Sequence, residues 1–214
     1  MSMRSKNGNT DESVRIFDNS LLESLTHVHP LVPLILWGPI IGYLLYVSIA
    51  VVGMSRAEIF SIGVFGFIVW TLTEYLLHRY LFHFDGTSEF SKKMVFLIHG
   101  IHHHYPNDAS RLVMPPVPGV VLAGIFYVLF YLLLGSIWVK PFFAFFLIGY
   151  LCYDYIHFST HHFKPRTPVG KYLKQYHMLH HFQTPDARYG VSNPLWDYII
   201  GTQESKTNPI RRKK

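Results

Sequence analysis

The residues of this chain that are best suited to chemistry are its histidines. There are 14 of them among 214 residues, against 13 acidic side chains. Ten fall into four short groups, which are His78 and His83; His99, His102 and His103; His157 and His161; and His177, His180 and His181. Residues at i, i+3 and i+4 share one helical face, and the last three groups keep that spacing. Each can therefore direct two or three imidazoles at one metal ion, or at two neighbouring ions.

The first group differs, because His78 and His83 are five residues apart and diverge by about 140° on an ideal helix. They need a distorted helix end, or they bind two different metals. Without a metal, ten clustered imidazoles would leave buried polar groups unpaired at about 1 to 3 kcal/mol each. Ten ligands are too many for one ion and suit two, so we predict a site for two metal ions. The other histidines are expected to be ordinary polar residues: His27, His29, His104 and His162.

The chemistry of the ligands leaves several metals possible. Imidazole suits iron, zinc, copper and nickel, but iron can activate dioxygen whereas zinc polarises or hydrolyses. Two carboxylates could orient a metal-binding histidine by accepting its second ring N–H. Asp154 lies one turn before His157, and Glu74 lies four residues before His78. Glu74 could equally be an ordinary carboxylate at the membrane interface.

Four uncharged stretches indicate the elements that carry these residues, and they cover 30–55, 59–73, 112–139 and 141–153. The first and third are long enough to cross the roughly 30 Å hydrocarbon layer of a membrane. The second and fourth become long enough if their helices continue to His78 and His157. A soluble helical core is the alternative, but its helices would show a polar face every three or four residues. We predict an all-α integral membrane protein with about four transmembrane helices and a cytosolic-side helical cap that carries the histidine-rich dimetal site.

The basic residues predict the orientation. With the spans paired as two hairpins, 17 of the 19 Lys and Arg residues lie on one side, and only Arg56 and Lys140, each in a short turn, lie on the other. The positive-inside rule makes the basic side, which also has the histidines, cytoplasmic. The net charge of +6 thus reflects orientation, and no nucleic-acid partner is expected. The single cysteine, Cys152, excludes an intramolecular disulfide.

The length corresponds to one domain. We predict a polar cytosolic N-terminal segment at 1–28, a membrane-embedded domain at 29–202 and a basic C-terminal tail at 203–214. The membrane would be the endoplasmic reticulum in a eukaryote and the inner membrane in a bacterium.

The histidine groups and the segments around them resemble the fatty acid hydroxylase superfamily of membrane oxygenases, most closely its fatty acid 2-hydroxylases. The matching segments are HPLVPLILWGP (29–39), EYLLHRYLFH (74–83), HGIHHHYPNDASRLVMPP (99–116), YDYIHFSTHH (153–162), YHMLHHF (176–182) and YGVSNPLWDYIIGT (189–202). The histidine boxes identify the superfamily, and RLVMPP with the Pro-Leu-Trp-Asp segment points to the 2-hydroxylases. The family's ten metal-binding histidines fall on the ten grouped above. His104 stands where relatives usually carry Lys, outside that set.

The resemblance implies dioxygen-dependent 2-hydroxylation of a fatty acid, or of the N-acyl chain of ceramide or dihydroceramide. It implies two metal ions, with iron expected for catalysis and zinc able to occupy the sites, and a lipid acyl substrate drawn from the membrane lipids. Many eukaryotic relatives carry an N-terminal cytochrome-b-type domain, for which roughly 30 residues before the first span are too few. A separate cytochrome-b-type or ferredoxin-like electron donor and its reductase are therefore expected.

Two alternatives stay open. The first is another oxygenase of the superfamily, a hydroxylase or desaturase that acts on sterols or sphingoid bases. The second is a metal transporter or sensor, which would be expected to place ionisable residues at the midplane of its spans.

Overall fold

The structure is a computed structural model that describes residues 15–204. Its α-helices are α1 (Ser20–Ser24), α2 (Val32–Tyr46), α3 (Arg56–Leu76), α4 (Glu89–Val95), α5 (Ile101–His104), α6 (Pro116–His162), α7 (Pro168–Phe182) and α8 (Leu195–Ile200). Three π-helical segments adjoin them: Val47–Val51 after α2, Leu77–Phe82 after α3, and Phe96–Gly100 between α4 and α5. No strand occurs in 15–204, and the all-α prediction is confirmed. Most of the predicted basic tail and the first 14 residues of the predicted N-terminal segment lie outside the described residues.

Among residues 15–204, three segments are long and apolar enough to cross a membrane. They are Val32–Val51, Arg56–Phe82 and Ala109–His162, with hydropathies of 2.0, 1.6 and 2.4 over their most apolar windows. The second and third reach past the short uncharged stretches to the histidines, as the sequence predicted. α3 begins at a capping box, in which the Ser55 side chain accepts the Glu58 N–H and the Glu58 carboxylate accepts the Ser55 N–H.

Helix α6 is a hairpin of two apolar helices. Its backbone leaves the helical conformation at Gly135, where φ is 73° and ψ is 175°, a conformation that glycine adopts without steric cost. The two halves pack together, with the ring centroids of Phe130 and Phe142 4.7 Å apart and those of Phe126 and Phe146 5.4 Å apart. The sequence placed this reversal at Lys140; that position was wrong, because the charged residue continues the second helix and the glycine makes the turn. The number of spans stays a prediction.

Close packing of α3 against the second half of α6 fixes the ends that carry histidines. The Trp70 ring lies 5.1 Å from that of Phe146 and 5.4 Å from that of Tyr150. A Cβ atom on Gly66 would lie 2.1 Å from the backbone oxygen of Phe142, so the helices approach through this glycine. Leu132, by contrast, is 75% exposed on the outer surface, as expected for a helix face in contact with lipid.

The short helices form a cap over these ends. In α7, the Thr167 side chain accepts the Gly170 N–H at 3.1 Å, and Pro168 occupies the first turn, where its missing N–H costs nothing. α8 is joined to α3 by a hydrogen bond from Trp196 Nε1 to Thr71 Oγ1, 3.0 Å long. The cap therefore brings the histidines of α5 and α7 close to those that follow α3, in and just after Leu77–Phe82, and to those at the end of α6.

Candidate metal centre

The structure brings the ten grouped histidines together as two sets of five. In each set the ring nitrogens that could act as ligands lie within 4.8 Å of one another. The first cluster consists of His78, His83, His99, His103 and His180, and the second cluster of His102, His157, His161, His177 and His181. The sequence groups are divided between the clusters, because residues at i and i+4 stay together while the residue at i+3 joins the other cluster.

A π-helical turn explains how His78 and His83, which are five residues apart, can belong to one cluster. In Leu77–Phe82 the helix widens, and the backbone N–H of His83 donates to the carbonyl of His78, five residues earlier, at 3.2 Å. This winding turns both rings to the same side, with 3.2 Å between their Nε2 atoms. Of the two sequence-based possibilities, the distorted helix end is the one observed.

Both clusters have their Nε2 atoms turned inward. In the first cluster the Nε2 of His99 lies 3.1 Å from that of His78 and 3.0 Å from that of His103. In the second cluster the Nε2 of His102 lies 3.0 Å from those of both His157 and His181. The two clusters adjoin each other, since the rings of His103 and His181 stack at 4.1 Å.

Burial keeps these imidazoles neutral. Desolvation is the main cause that lowers the pKa of His83 to about 4 and, with repulsion from neighbouring histidines, that of His103 to about 2. The same causes hold the pKa well below its ordinary value for other cluster histidines outside the spans: His99, His102, His177, His180 and His181. A neutral imidazole has a free lone pair, which is the form that binds a metal.

The donor set fits a metal ion. His78 Nδ1 lies 2.5 Å from the backbone oxygen of Tyr189, and His180 Nδ1 lies 2.6 Å from that of Ala187. A carbonyl only accepts, so each Nδ1 carries the ring proton and each Nε2 presents a lone pair. Lone pairs that face one another at about 3 Å need a cation between them. Nitrogen ligands at about 2.0–2.1 Å from one metal are themselves roughly 2.9–3.3 Å apart when adjacent, which matches the Nε2 separations here.

The remaining histidines lie outside both clusters, as expected. His27 Nδ1 is 2.7 Å from Ser110 Oγ, and His29 Nδ1 accepts the Leu31 N–H at 3.2 Å. His104 packs on Phe96, and the ring of His162 packs on that of Phe158.

Asp154 is buried beside the second cluster. Its carboxylate accepts hydrogen bonds from the Tyr150 hydroxyl, at 3.1 Å, and from the backbone of Met114. It lines the same cavity as His157. The hydrogen bond in which the ring N–H of a metal-binding histidine donates to Asp154 stays a prediction.

Glu74 binds backbone instead of a histidine ring. Its Oε1 accepts the N–H groups of Val191 and Ser192, both at 2.8 Å, and its Oε2 accepts the Ser192 hydroxyl. It is 3% exposed. Glu74 therefore binds the backbone two and three residues after Tyr189, and the carbonyl of Tyr189 accepts a hydrogen bond from His78.

Asp197 and the two backbone carbonyls of Ala187 and Tyr189 also belong to the site, and none of them was predicted from the sequence. Asp197 is fully buried and accepts the N–H groups of Tyr189 and Gly190 at 2.9 and 2.7 Å. It lies in the segment YGVSNPLWDYIIGT, in which the one signal was a single acidic residue in an otherwise uncharged stretch.

An apolar cavity of about 490 Å³ reaches both clusters. Its walls include His99 of the first cluster, His157 of the second cluster and Phe82. The other wall residues are mostly aliphatic, among them Leu97, Ile98, Val113, Met114, Val117 and Val121. This volume lies within the range of small-molecule sites, about 300–1,000 Å³, and the lining suits a hydrocarbon chain.

Comparison with known proteins places this geometry among lipid hydroxylases. The family model described as fatty acid hydroxylase matches residues 63–202. The dihydroceramide fatty acyl 2-hydroxylase FAH2 of Arabidopsis thaliana is 38% identical over 192 residues, which cover 89% of this chain and 80% of that protein. The ceramide very long chain fatty acid hydroxylase SCS7 of Saccharomyces cerevisiae is 39% identical, over 94% of this chain and 52% of its own length. A solved structure of full-length scs7p, with only its hydroxylase domain visible, matches with a TM-score of 0.84 and 39% identity over 91% of this chain and 73% of that one.

Proposed function

Because this chain belongs to the fatty acid hydroxylase family and is therefore an oxidoreductase, we propose that it hydroxylates carbon 2 of a fatty acyl chain within a membrane. The observation that carries the proposal is the cavity: its walls are apolar over most of their length, yet they include His99 and His157 from the two histidine clusters. An acyl chain in this cavity would have its reacting end beside both clusters. The substrate would be a fatty acid or the N-acyl chain of a ceramide, as the names of the similar proteins suggest.

The two clusters would each hold one metal ion through five imidazoles. Iron is the proposed catalytic metal, because hydroxylation of a C–H bond by dioxygen needs an ion that reacts with dioxygen. Zinc also binds imidazole, and a zinc-loaded form would be inactive. The low pKa values of His83 and His103 keep these rings in their ligand form at neutral pH.

The chemistry supplied by bound iron is reductive activation of dioxygen, in which one oxygen atom enters the C–H bond and the other becomes water, at the cost of two electrons and two protons from a donor. The protein residues contribute position and exclusion of water. Phe82, Leu97 and Val113 line the apolar cavity. They would keep the acyl chain extended and exclude water from it. The backbone carbonyls of Ala187 and Tyr189 hold two imidazoles of the first cluster in one tautomer.

The electrons would come from a cytochrome-b-type or ferredoxin-like protein and its reductase. The basic residues flanking the spans support a cytoplasmic position for the cap, so the donor would dock from that side. The protein would be multi-pass, in the endoplasmic reticulum of a eukaryote or the inner membrane of a bacterium.

The test is expression in cells that lack 2-hydroxylated lipids, followed by mass spectrometry of hydrolysed lipids. The expected result is the appearance of 2-hydroxy fatty acids, their loss in His180→Ala or His181→Ala, and their retention in the control His104→Ala, whose ring lies outside both clusters. Hydroxylated sterols or sphingoid bases without 2-hydroxy acyl chains would assign a different oxygenase. Metal uptake without any new hydroxylated lipid would indicate a transporter.

A further inference from the structure

We propose that Glu74 and Asp197 are positioning residues of the first cluster, and that because of them this cluster releases its metal ion more slowly than the second cluster. They act through the backbone at 187–192, and neither touches a histidine ring. The inference rests on the proposed function only in that both clusters bind metal.

The peptide group between Tyr189 and Gly190 is held from both sides. On one side its N–H donates to Asp197 Oδ2 at 2.7 Å, and on the other its carbonyl accepts from His78 Nδ1 at 2.5 Å. Hydrogen bonds in such a chain polarise one another. The bond from Gly190 N–H to the Asp197 carboxylate therefore strengthens the bond from His78 Nδ1 to the Tyr189 carbonyl. Asp197 Oδ1 fixes the preceding N–H of Tyr189 as well, at 2.9 Å.

Glu74 also binds the backbone at 187–192, here called the 187–192 loop. It accepts hydrogen bonds from the N–H groups of Val191 and Ser192. These residues directly follow the Tyr189–Gly190 peptide group, which is hydrogen-bonded to His78. Glu74 and His78 lie on one helix, four residues apart. The loop is therefore bound twice to that helix, once through Glu74 and once through the ring of His78.

The loop also reaches a second member of the first cluster. The Ala187 carbonyl accepts from His180 Nδ1 at 2.6 Å, and the Arg188 N–H donates to the Thr202 carbonyl at 2.8 Å. Thr202 in turn donates its hydroxyl to Asp197 at 2.7 Å. Two of the five imidazoles in the first cluster are thus oriented by a loop that two buried carboxylates immobilise.

In the second cluster, three of the five rings lack such a hydrogen bond. The Nδ1 atoms of His102, His177 and His181 are buried without a hydrogen-bond partner among residues 15–204. Outside their Nε2 contacts, these rings pack on neighbouring rings, for example His177 against His157 at 4.6 Å. Ligands whose outer nitrogen is hydrogen-bonded are better oriented and more basic, so the first cluster should hold its ion longer.

The experiment follows metal release from the purified full chain in detergent, loaded with Zn²⁺ and challenged with excess EDTA. The wild type is expected to release two equivalents in two phases. His161→Ala, which removes a ligand of the second cluster, should retain the slow phase, and His83→Ala, which removes one from the first cluster, should retain only the fast phase. Glu74→Gln and Asp197→Asn should accelerate the slow phase about 10- to 100-fold and leave the fast phase unchanged.

Two controls keep the result interpretable. Glu89→Gln alters a carboxylate that is 93% exposed and pairs with Lys92, and it should leave both phases unchanged. Ser192→Ala removes only the hydroxyl that donates to Glu74, so it should accelerate the slow phase less than Glu74→Gln and is the milder variant if the latter folds poorly. An unchanged fast phase reports an intact fold.

Release in a single phase, a slow phase that survives in His83→Ala, or a slow phase unaffected by both carboxylate variants would overturn the proposal. Any of these results could be obtained with a protein that has full 2-hydroxylase activity, so they would not contradict the proposed function. Conversely, two phases that respond as expected in a protein that hydroxylates no acyl chain would overturn the proposed function alone.

Discussion

The backbone N–H of His83 donates to the carbonyl of His78 across a single π-helical turn, and the Nε2 atoms of the two rings lie 3.2 Å apart. An α-helix would send these side chains to different faces. π-helical turns are rare and are often found at functional sites, and here the turn makes one cluster from two residues that a regular helix would separate.

The π-helical turn predicts that exact i+5 spacing matters for metal binding. In the double variant Phe82→His/His83→Phe the histidines have i, i+4 spacing, which is favourable on an α-helix, but residue 82 faces the cavity in this structure. We expect the variant to lose the metal of the first cluster, so that the metal content measured by mass spectrometry falls from about two ions per chain to about one. The control Tyr80→Phe, at an exposed position of the same turn, should keep both. Retention of two ions in the double variant would show that the π-helical turn is not needed.

The cavity predicts which acyl chains the protein accepts. Met94 lines it and is 39% exposed, so Met94→Trp can narrow the cavity without overfilling the core. Hydroxylation of long acyl chains should fall about tenfold or more relative to short ones, with an unchanged metal content, as measured by lipid mass spectrometry. Leu132→Trp, on the outer surface, is the matched control. An equal effect of both variants on all chain lengths would mean that the cavity does not hold the chain.

The approach of α3 to α6 predicts a stability effect at Gly66. A Cβ atom there would collide with the Phe142 backbone, and overpacking of this kind costs about 1 to 3 kcal/mol. Gly66→Ala should therefore lower the melting temperature in detergent. Gly42→Ala, in α2 with nothing within 4 Å of the added atom, should leave it unchanged or raise it, because alanine favours helix. A stable Gly66→Ala variant would be inconsistent with this helix contact.

The lowered pKa of Glu23 predicts that the stability of the N-terminal segment lining the cavity depends on pH. Desolvation raises the pKa of Glu23, but hydrogen bonds from the N–H groups of Phe17 and Ile16 outweigh this. The pKa is lowered to about 2 by these bonds together with a hydrogen bond to His27 and attraction to Arg111. A lowered carboxylate pKa stabilises the folded segment above the ordinary value of 4.5, and this contribution is lost as the pH falls from 4.5 towards 2. Hydrogen exchange should show the amides of Ile16 and Phe17 losing protection over this interval.

In the variant Glu23→Gln, the same two amides should be less protected already at pH 7, and their protection should vary little between pH 4.5 and pH 2 once the intrinsic exchange rate is corrected for. A wild-type pH profile that persists in the variant would assign the effect to another group.

The sequence predicted the all-α fold, the ten clustered histidines and the family, because helical spacing and long uncharged stretches are visible in one dimension. It did not predict which histidines share a cluster. The separation of His102 from His99 and His103 depends on which neighbouring helix each face meets, and spacing alone does not define that neighbour.

The support of the first cluster could not be predicted for a different reason. The groups that meet His78 and His180 are backbone carbonyls at Tyr189 and Ala187, which every residue type offers. Glu74 was singled out by its position before His78, but its partners are N–H groups 117 and 118 residues away in the chain. The reversal at Gly135 was misplaced because a charge at Lys140 indicated a turn that the backbone makes at the glycine.

Isotope labelling tests most directly whether this protein inserts one atom of dioxygen at carbon 2 of an acyl chain. The iron-loaded protein, with an electron donor, its reductase and an acyl lipid, is supplied with ¹⁸O₂ in ordinary water, and the product is analysed by mass spectrometry. We predict one ¹⁸O atom in the hydroxyl group at carbon 2, with no such product from His180→Ala. A hydroxyl oxygen that derives from water, or a hydroxyl group at a different carbon, would contradict the proposed function.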